Sequence, residues 1–129
     1  MAIRIVRLGT PRAPDEGIRL GTVRRPPRGV AKADYSRLNY FDVWLPDLAP
    51  SAALLAWVRE KPLTEARWVT FRRRYIKEMA NPPAARLIGL LSALSPEVDV
   101  SIGCFCAEEG HCHRSVLREL LDQAGAVLA

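Results

Sequence analysis

Lysine is nearly absent from this 129-residue chain: Lys32, Lys61 and Lys77 are the only three, so arginine carries almost all of the net charge of +5. Arginine's planar fork pairs with phosphate or carboxylate through two bonds at once, so an anionic partner suits this composition. A solvated surface suits it equally, and charge alone does not choose. Cysteine is scarce too. The three present, Cys104, Cys106 and Cys112, are an odd number crowded into one segment, which excludes a disulfide framework spread through a fold and predicts reduced thiols. Long apolar runs are missing: nothing approaches the roughly eighteen residues a bilayer span needs, and the opening residues contain no apolar signal region. The sequence therefore predicts a cytoplasmic protein with no membrane partner. There are no repeats or low-complexity segments, and a hydrophobic content of 49% over this length suits one core, hence a single domain over residues 1–129.

The pattern of the chain is that of an α/β domain. Ile3 to Leu8 alternates apolar residues with arginine, the period of two of a strand, and Gly9 and Pro11 end it. Ile18 to Arg24 reads as a second strand, stopped by Pro26 and Pro27, which cannot donate to a ladder. Tyr35 to Pro50 is aromatic and proline-punctuated, and reads as irregular with a short helical turn. Ser51 is placed to cap a helix carrying Leu54, Leu55 and Val58. Thr64 opens a longer helix in which Trp68, Phe71, Tyr75 and Met79 form a core stripe and Arg72, Arg73 and Arg74 face elsewhere. Asn81, Pro82 and Pro83 start a third helix, with Leu87, Leu90, Leu91 and Leu94 inward. Val98, Val100, Ile102, Cys104 and Cys106 share the parity of a last strand, and a last helix from Cys112 or His113 carries Val116, Leu117, Leu120, Leu121 and Ala124. The sum is a small, mostly parallel or mixed sheet flanked by helices, with Rossmann-like layering.

The segment CysPheCysAlaGluGluGlyHisCysHisArgSerValLeuArg (Cys104 to Arg118) joins the end of a strand to the start of a helix. That is where α/β sheets place ligands, because the free first-turn N–H groups and the helix dipole attract an anion. Arg114 and Ser115 would complete such a site. Arg24, Arg25, Arg28 and Lys32 could join it from a second loop, stiffened by two prolines, that leaves another strand's end. A nucleophilic reading uses the same residues: Cys112 activated by the helix N-terminus, His113 or Arg114, with Glu108 moving protons. Zinc is a third reading, with Cys104, Cys106, Cys112 and either His111 or His113 as ligands, although the spacing lacks the paired two-residue knuckles of structural sites. Cys112 to Arg118 also spells Cys-x5-Arg, as in cysteine phosphatases, but the five intervening residues contain no glycine to form a phosphate loop.

Several blocks together resemble the YeaO-like family, a domain family of unknown function. Cys106, Ala107 and Glu108 followed by Cys112, His113 and Arg114 resemble its Cys-x-Glu and Cys-His-Arg signatures. Val23 to Lys32 resembles its arginine-proline-arginine-glycine loop, Trp44 to Ser51 its Trp-Leu-x-x-Leu-Ala-Pro-Ser block, and Phe71 to Met79 its Phe-x-x-Arg-Tyr-x-x-Glu-Leu block. An Asp-Val-Arg triplet expected on the second strand stands here as Thr22, Val23 and Arg24, which removes one carboxylate from any acid–base pair. The resemblance implies an α/β fold and a residue set, and no reaction.

These readings converge on a domain that binds a small phosphate- or nucleotide-type anion, as an enzyme or as a binding module, with no cofactor required and zinc the one candidate. A nucleic-acid partner has only the basic charge to support it, since no helix-turn-helix, zinc-finger or RNA-stacking signature is present. Nothing in the sequence marks an oligomeric state.

Overall fold

The alternation at the N-terminus becomes strand β1 (Ile3–Arg7), and the second apolar stretch becomes β2 (Ile18–Gly21). β2 is shorter than its pattern, because the chain leaves the ladder after Thr22, whose N–H still donates to the Gly103 carbonyl, ahead of the prolines. A computed structural model describes all 129 residues. It adds a strand that the sequence pattern hides: β3 is the two residues Val43–Trp44, inside the stretch read as irregular. Its backbone pairs with Leu20 and Gly21, and tertiary context makes it a strand where propensity does not. The expected helical turn follows at Pro46–Leu48.

From β3 the chain needs a long crossover to return parallel, and three helices provide it. These are α1 (Ala52–Arg59), α2 (Glu65–Met79) and α3 (Ala84–Leu94). Ser51 and Thr64 cap the first two as their side chains suggest, accepting from the backbone N–H of Leu54 and Arg67. β4 (Val100–Cys104) then enters the middle of the sheet and α4 (His113–Gln123) follows. The strand order is β1-β4-β2-β3, and every pairing is parallel. A strand buried on both faces reads as continuous rather than alternating, and all five residues of β4 are buried.

One face of the sheet carries Ile3, Leu20, Val100 and Ile102 into the main core, against Leu54 of α1, Phe71, Tyr75 and Met79 of α2, Ile88 and Leu91 of α3, and Val116, Leu117 and Leu121 of α4. Truncating a ring such as Phe71 there would cost about 3–5 kcal/mol. α3 turns differently from its leucine pattern. Ala84, Ile88, Leu91 and Ser92 face inward, while Leu90 and Leu94 are 54% and 40% exposed, because the helix starts only after the proline pair and takes its stripe from Ala84. Ala124, expected inward, is exposed just past the end of α4.

The opposite face is covered by loops. Arg19 is fully buried there, donating through Nε to Glu16 at 2.6 Å and through a terminal nitrogen to the carbonyls of Thr10 and Asn39. Ser101 donates to the Glu16 carbonyl, so polar bonds tie the loop to the sheet, although the second terminal nitrogen of Arg19 is buried without a partner. A smaller apolar cluster of Leu8, Val23, Phe41, Cys104 and Cys112 sits at the C-terminal end of the strands. That end is where the polar chemistry gathers.

Candidate functional site

β4 stops at Cys104, so Val98 and Cys106, expected within the strand, lie outside it. Cys106 is nevertheless carried back by the turn. The sulfurs of Cys104, Cys106 and Cys112 all lie within 4.8 Å of one another, with Cys104 and Cys112 buried and Cys106 exposed. Cys112 is the N-cap of α4, and its Sγ is 2.6 Å from that of Cys104. The trio is close enough to hold a metal ion, provided that pair parts to the roughly 3.8 Å that tetrahedral geometry with 2.3 Å zinc–sulfur bonds requires. His111 does not join it: its imidazole faces Glu65 and Glu108 and packs edge-on against Trp68.

His113 is buried at the start of α4. Its Nε2 donates to the Thr22 carbonyl at 2.7 Å, and the Thr22 hydroxyl lies 3.3 Å from the same nitrogen. A carbonyl only accepts, so the neutral ring carries its proton on Nε2 and leaves Nδ1 bare, 3.7 Å from the Cys112 sulfur. Burial drives this imidazole down to about 4, with the Thr22 bond working the other way, so it is neutral at pH 7. Thr22 thus contacts His113 through both its carbonyl and its hydroxyl.

The three thiols do not share their protons equally. Hydrogen bonds from Cys104 and Cys112, helped by the charge of Arg114, pull the Cys106 thiol below the ordinary range, against the effect of its partial burial. Cys104 is raised by engaging its proton on Cys106, and Cys112 by its bonds with Cys104 and then Cys106. The expected nucleophile was Cys112. The structure buries Cys112 against Cys104 and leaves Cys106 as the exposed thiol. The sequence hid this, since parity put Cys106 in the strand beside Cys104, whereas β4 ends at Cys104.

Around Cys106 opens a crevice of about 710 Å³. Arg24, Arg25, Pro26, Pro27 and Arg28 form one wall, Leu55 and Arg59 of α1 another, and Cys104, Phe105, Cys106 and His113 the floor. The two loops singled out by sequence therefore meet. Their members take different parts, however. Arg25 and Arg28 are exposed and make no ion pair. Arg24 is engaged as a clamp, donating to the carbonyls of Pro46, Ala49 and Pro50. Arg114 is 4% exposed, does not line the crevice, and donates to the Cys106 carbonyl at 2.9 Å, fixing the turn. Ser115 donates back to the Cys112 carbonyl. Lys32 lies outside the lining, and Glu108 is exposed beside His111.

The family blocks explain one another in space. Besides the Arg24 clamp, the Tyr75 hydroxyl donates to the Leu48 carbonyl at 2.7 Å, and the Glu78 carboxylate accepts from the Ser51 backbone at 2.8 Å. Two separated sequence blocks thus hold a third, the 46–51 bend that closes one side of the crevice. The Cys-x5-Arg string forms no phosphate loop: His113 to Leu117 are already helix, and Arg118 pairs with Glu109.

Fold and site together define a small parallel α/β domain whose last strand-to-helix turn carries three convergent thiols under an arginine-proline loop. A family model described as "Active DUF488-N3 subclade" matches residues 3–125, and the chain belongs to that family. This agrees with the YeaO-like resemblance of its motifs. No curated protein and no solved structure matches it. No helix is long and apolar enough to cross a membrane.

Proposed function

We propose that the crevice binds a small anionic molecule of phosphate or nucleotide type and sets the Cys106 thiol beside it. The observation that carries this reading is that Arg25 and Arg28, free of carboxylate partners, line the same crevice as Cys106. Like charges on a stiff loop favour an anion between them. Leu55 and the two prolines offer apolar surface for the uncharged part of a ligand. The description of the family as an active subclade accords with a working site rather than a purely structural turn. In the catalytic form of this reading, Cys106 is the nucleophile and Arg114 the group that positions its turn. Neutral His113 anchors the base of the site to Thr22.

The test uses ligand-dependent melting with inorganic phosphate and with a nucleoside monophosphate. Wild type should be stabilised in proportion to saturation, by about 2.7 kcal/mol at a hundredfold excess over Kd. The Arg25→Ala/Arg28→Ala variant should lose most of that shift and Arg73→Ala, on the exposed face of α2, almost none. Equal losses in the two would replace the site with diffuse electrostatics.

A further inference from the structure

The three sulfurs carry a feature that anion binding does not use. Two of them, Cys104 and Cys112, are each only 2% exposed, yet their Sγ atoms are 2.6 Å apart. The third, Cys106, opens on the crevice and lies within 4.8 Å of both. A pair so little exposed, although Cys104 reaches the crevice floor, meets an outside disulfide far less readily than the exposed Cys106, which can meet it and pass the oxidation inward. His113 lies beside the pair with Nδ1 unprotonated, 3.7 Å from Cys112, an acceptor for the proton that thiol must lose.

We infer that the trio is a thiol relay, in which Cys106 reacts with a low-molecular-weight disulfide from the crevice and the oxidation is then transferred to a Cys104–Cys112 disulfide. The Cys106 thiolate attacks one sulfur of RS–SR, a Cys106–SR bond forms, and RS⁻ leaves. Cys104 or Cys112 then gives up its proton and attacks the Cys106 sulfur, releasing the second RS⁻. The remaining thiol of the buried pair gives up its own proton and attacks its partner's sulfur, closing Cys104–Cys112 and freeing Cys106 as thiolate. The two protons given up by Cys104 and Cys112 end on the two RS⁻ groups. In sum, one RS–SR is reduced to two RSH, and two protein thiols are oxidised to one disulfide.

The relay rests on the anion-binding reading only for its preference among disulfides: Arg25, Arg28 and Arg59 in the lining favour one that carries carboxylates. Oxidised glutathione and neutral hydroxyethyl disulfide therefore serve as paired probes. Fully reduced, full-length protein is treated with each and quenched with iodoacetamide. It is then reduced, labelled with a second alkylating reagent and mapped by mass spectrometry. With both probes the product should be a Cys104–Cys112 disulfide with Cys106 carrying the first label. Cys106→Ser, a surface change that leaves the core intact, should slow closure at least tenfold. In Cys104→Ser/Cys112→Ser, with native-like circular dichroism checked first, the mixed disulfide on Cys106 should accumulate. Unchanged closure in Cys106→Ser overturns the relay, as does a final disulfide that retains Cys106. Stoichiometric zinc that blocks labelling of all three until a chelator is added overturns it too. Equal rates with the two probes would defeat the anion-binding reading while leaving the relay standing.

Discussion

Among single residues, Asp42 shows how far one carboxylate can organise a loop. It accepts two bonds from the Arg12 guanidinium, at 2.8 and 3.1 Å, and others from the Arg19 backbone N–H and the Ser36 hydroxyl. Partial burial opposes its ionisation, but these bonds outweigh it and hold the carboxyl at about 2, against an ordinary 3.8. Since the folded value lies below the unfolded one, the stabilisation is fully present above about pH 3.8 and disappears as the pH falls towards 2. Its size should be about 1–2 kcal/mol after allowing for the solvent that reaches the pair. Urea unfolding of wild type and Asp42→Asn across this range should show a constant gap down to about pH 4, which closes below it. A gap that persists to pH 2 would mean that the carboxylate's charge is not what holds the loop.

At the level of whole elements, the sheet depends on positions where there is no room for a side chain. A Cβ on Gly103, in the middle of β4, would lie 2.6 Å from the Val6 carbonyl oxygen, so the β1–β4 ladder would have to move. Gly103→Ala should therefore cost about 2–3 kcal/mol, a fall of roughly 6–12 °C in Tm for a domain of this size. Gly89, on the exposed side of α3, meets nothing within 4 Å. Its replacement by Ala should stabilise by about 0.5–1 kcal/mol, because glycine is a poor helix residue. A calorimetric scan of both variants checks the opposite signs; equal changes would show that backbone propensity, not packing, governs both sites. The same elements show what a sequence reveals. β1, α1, α2 and the β4–α4 turn were legible because each has a period or a capping side chain, as with Ser51 and Thr64. β3 was not, since Val43 and Trp44 are extended only because Leu20 and Gly21 lie alongside. The roles of Arg24 and Arg114 were also hidden: an arginine that clamps backbone carbonyls and one that waits for an anion look alike in sequence.

For the molecule as a whole, the question is what its arginine excess is for, and the structure answers by showing how much of it is already engaged. Arg4, Arg12, Arg19, Arg37, Arg72 and Arg118 pair with carboxylates. Arg24 and Arg114 hold carbonyls, and Arg67 and Arg74 lie over the Trp57 ring, 4.1 and 4.5 Å from its centroid. These contacts leave the net charge at +5 but tie many of the guanidinium groups to fixed partners, so a polyanion meets fewer free arginines than their number suggests. In the crevice only Arg25, Arg28 and Arg59 are free to meet phosphate. Three neutralised phosphates would give a slope of log K against log salt of about −3 at most, and non-specific affinity no tighter than about 1–100 μM at physiological salt. Random-sequence duplex DNA titrated at several salt concentrations should stay within those limits. The shift in melting caused by a nucleoside monophosphate should survive the same salt better, since its contacts are partly enclosed. A slope much steeper than −3, with submicromolar binding that persists in Arg25→Ala/Arg28→Ala, would mean that cations spread over the helices act together, and would make this a nucleic-acid-associated protein instead.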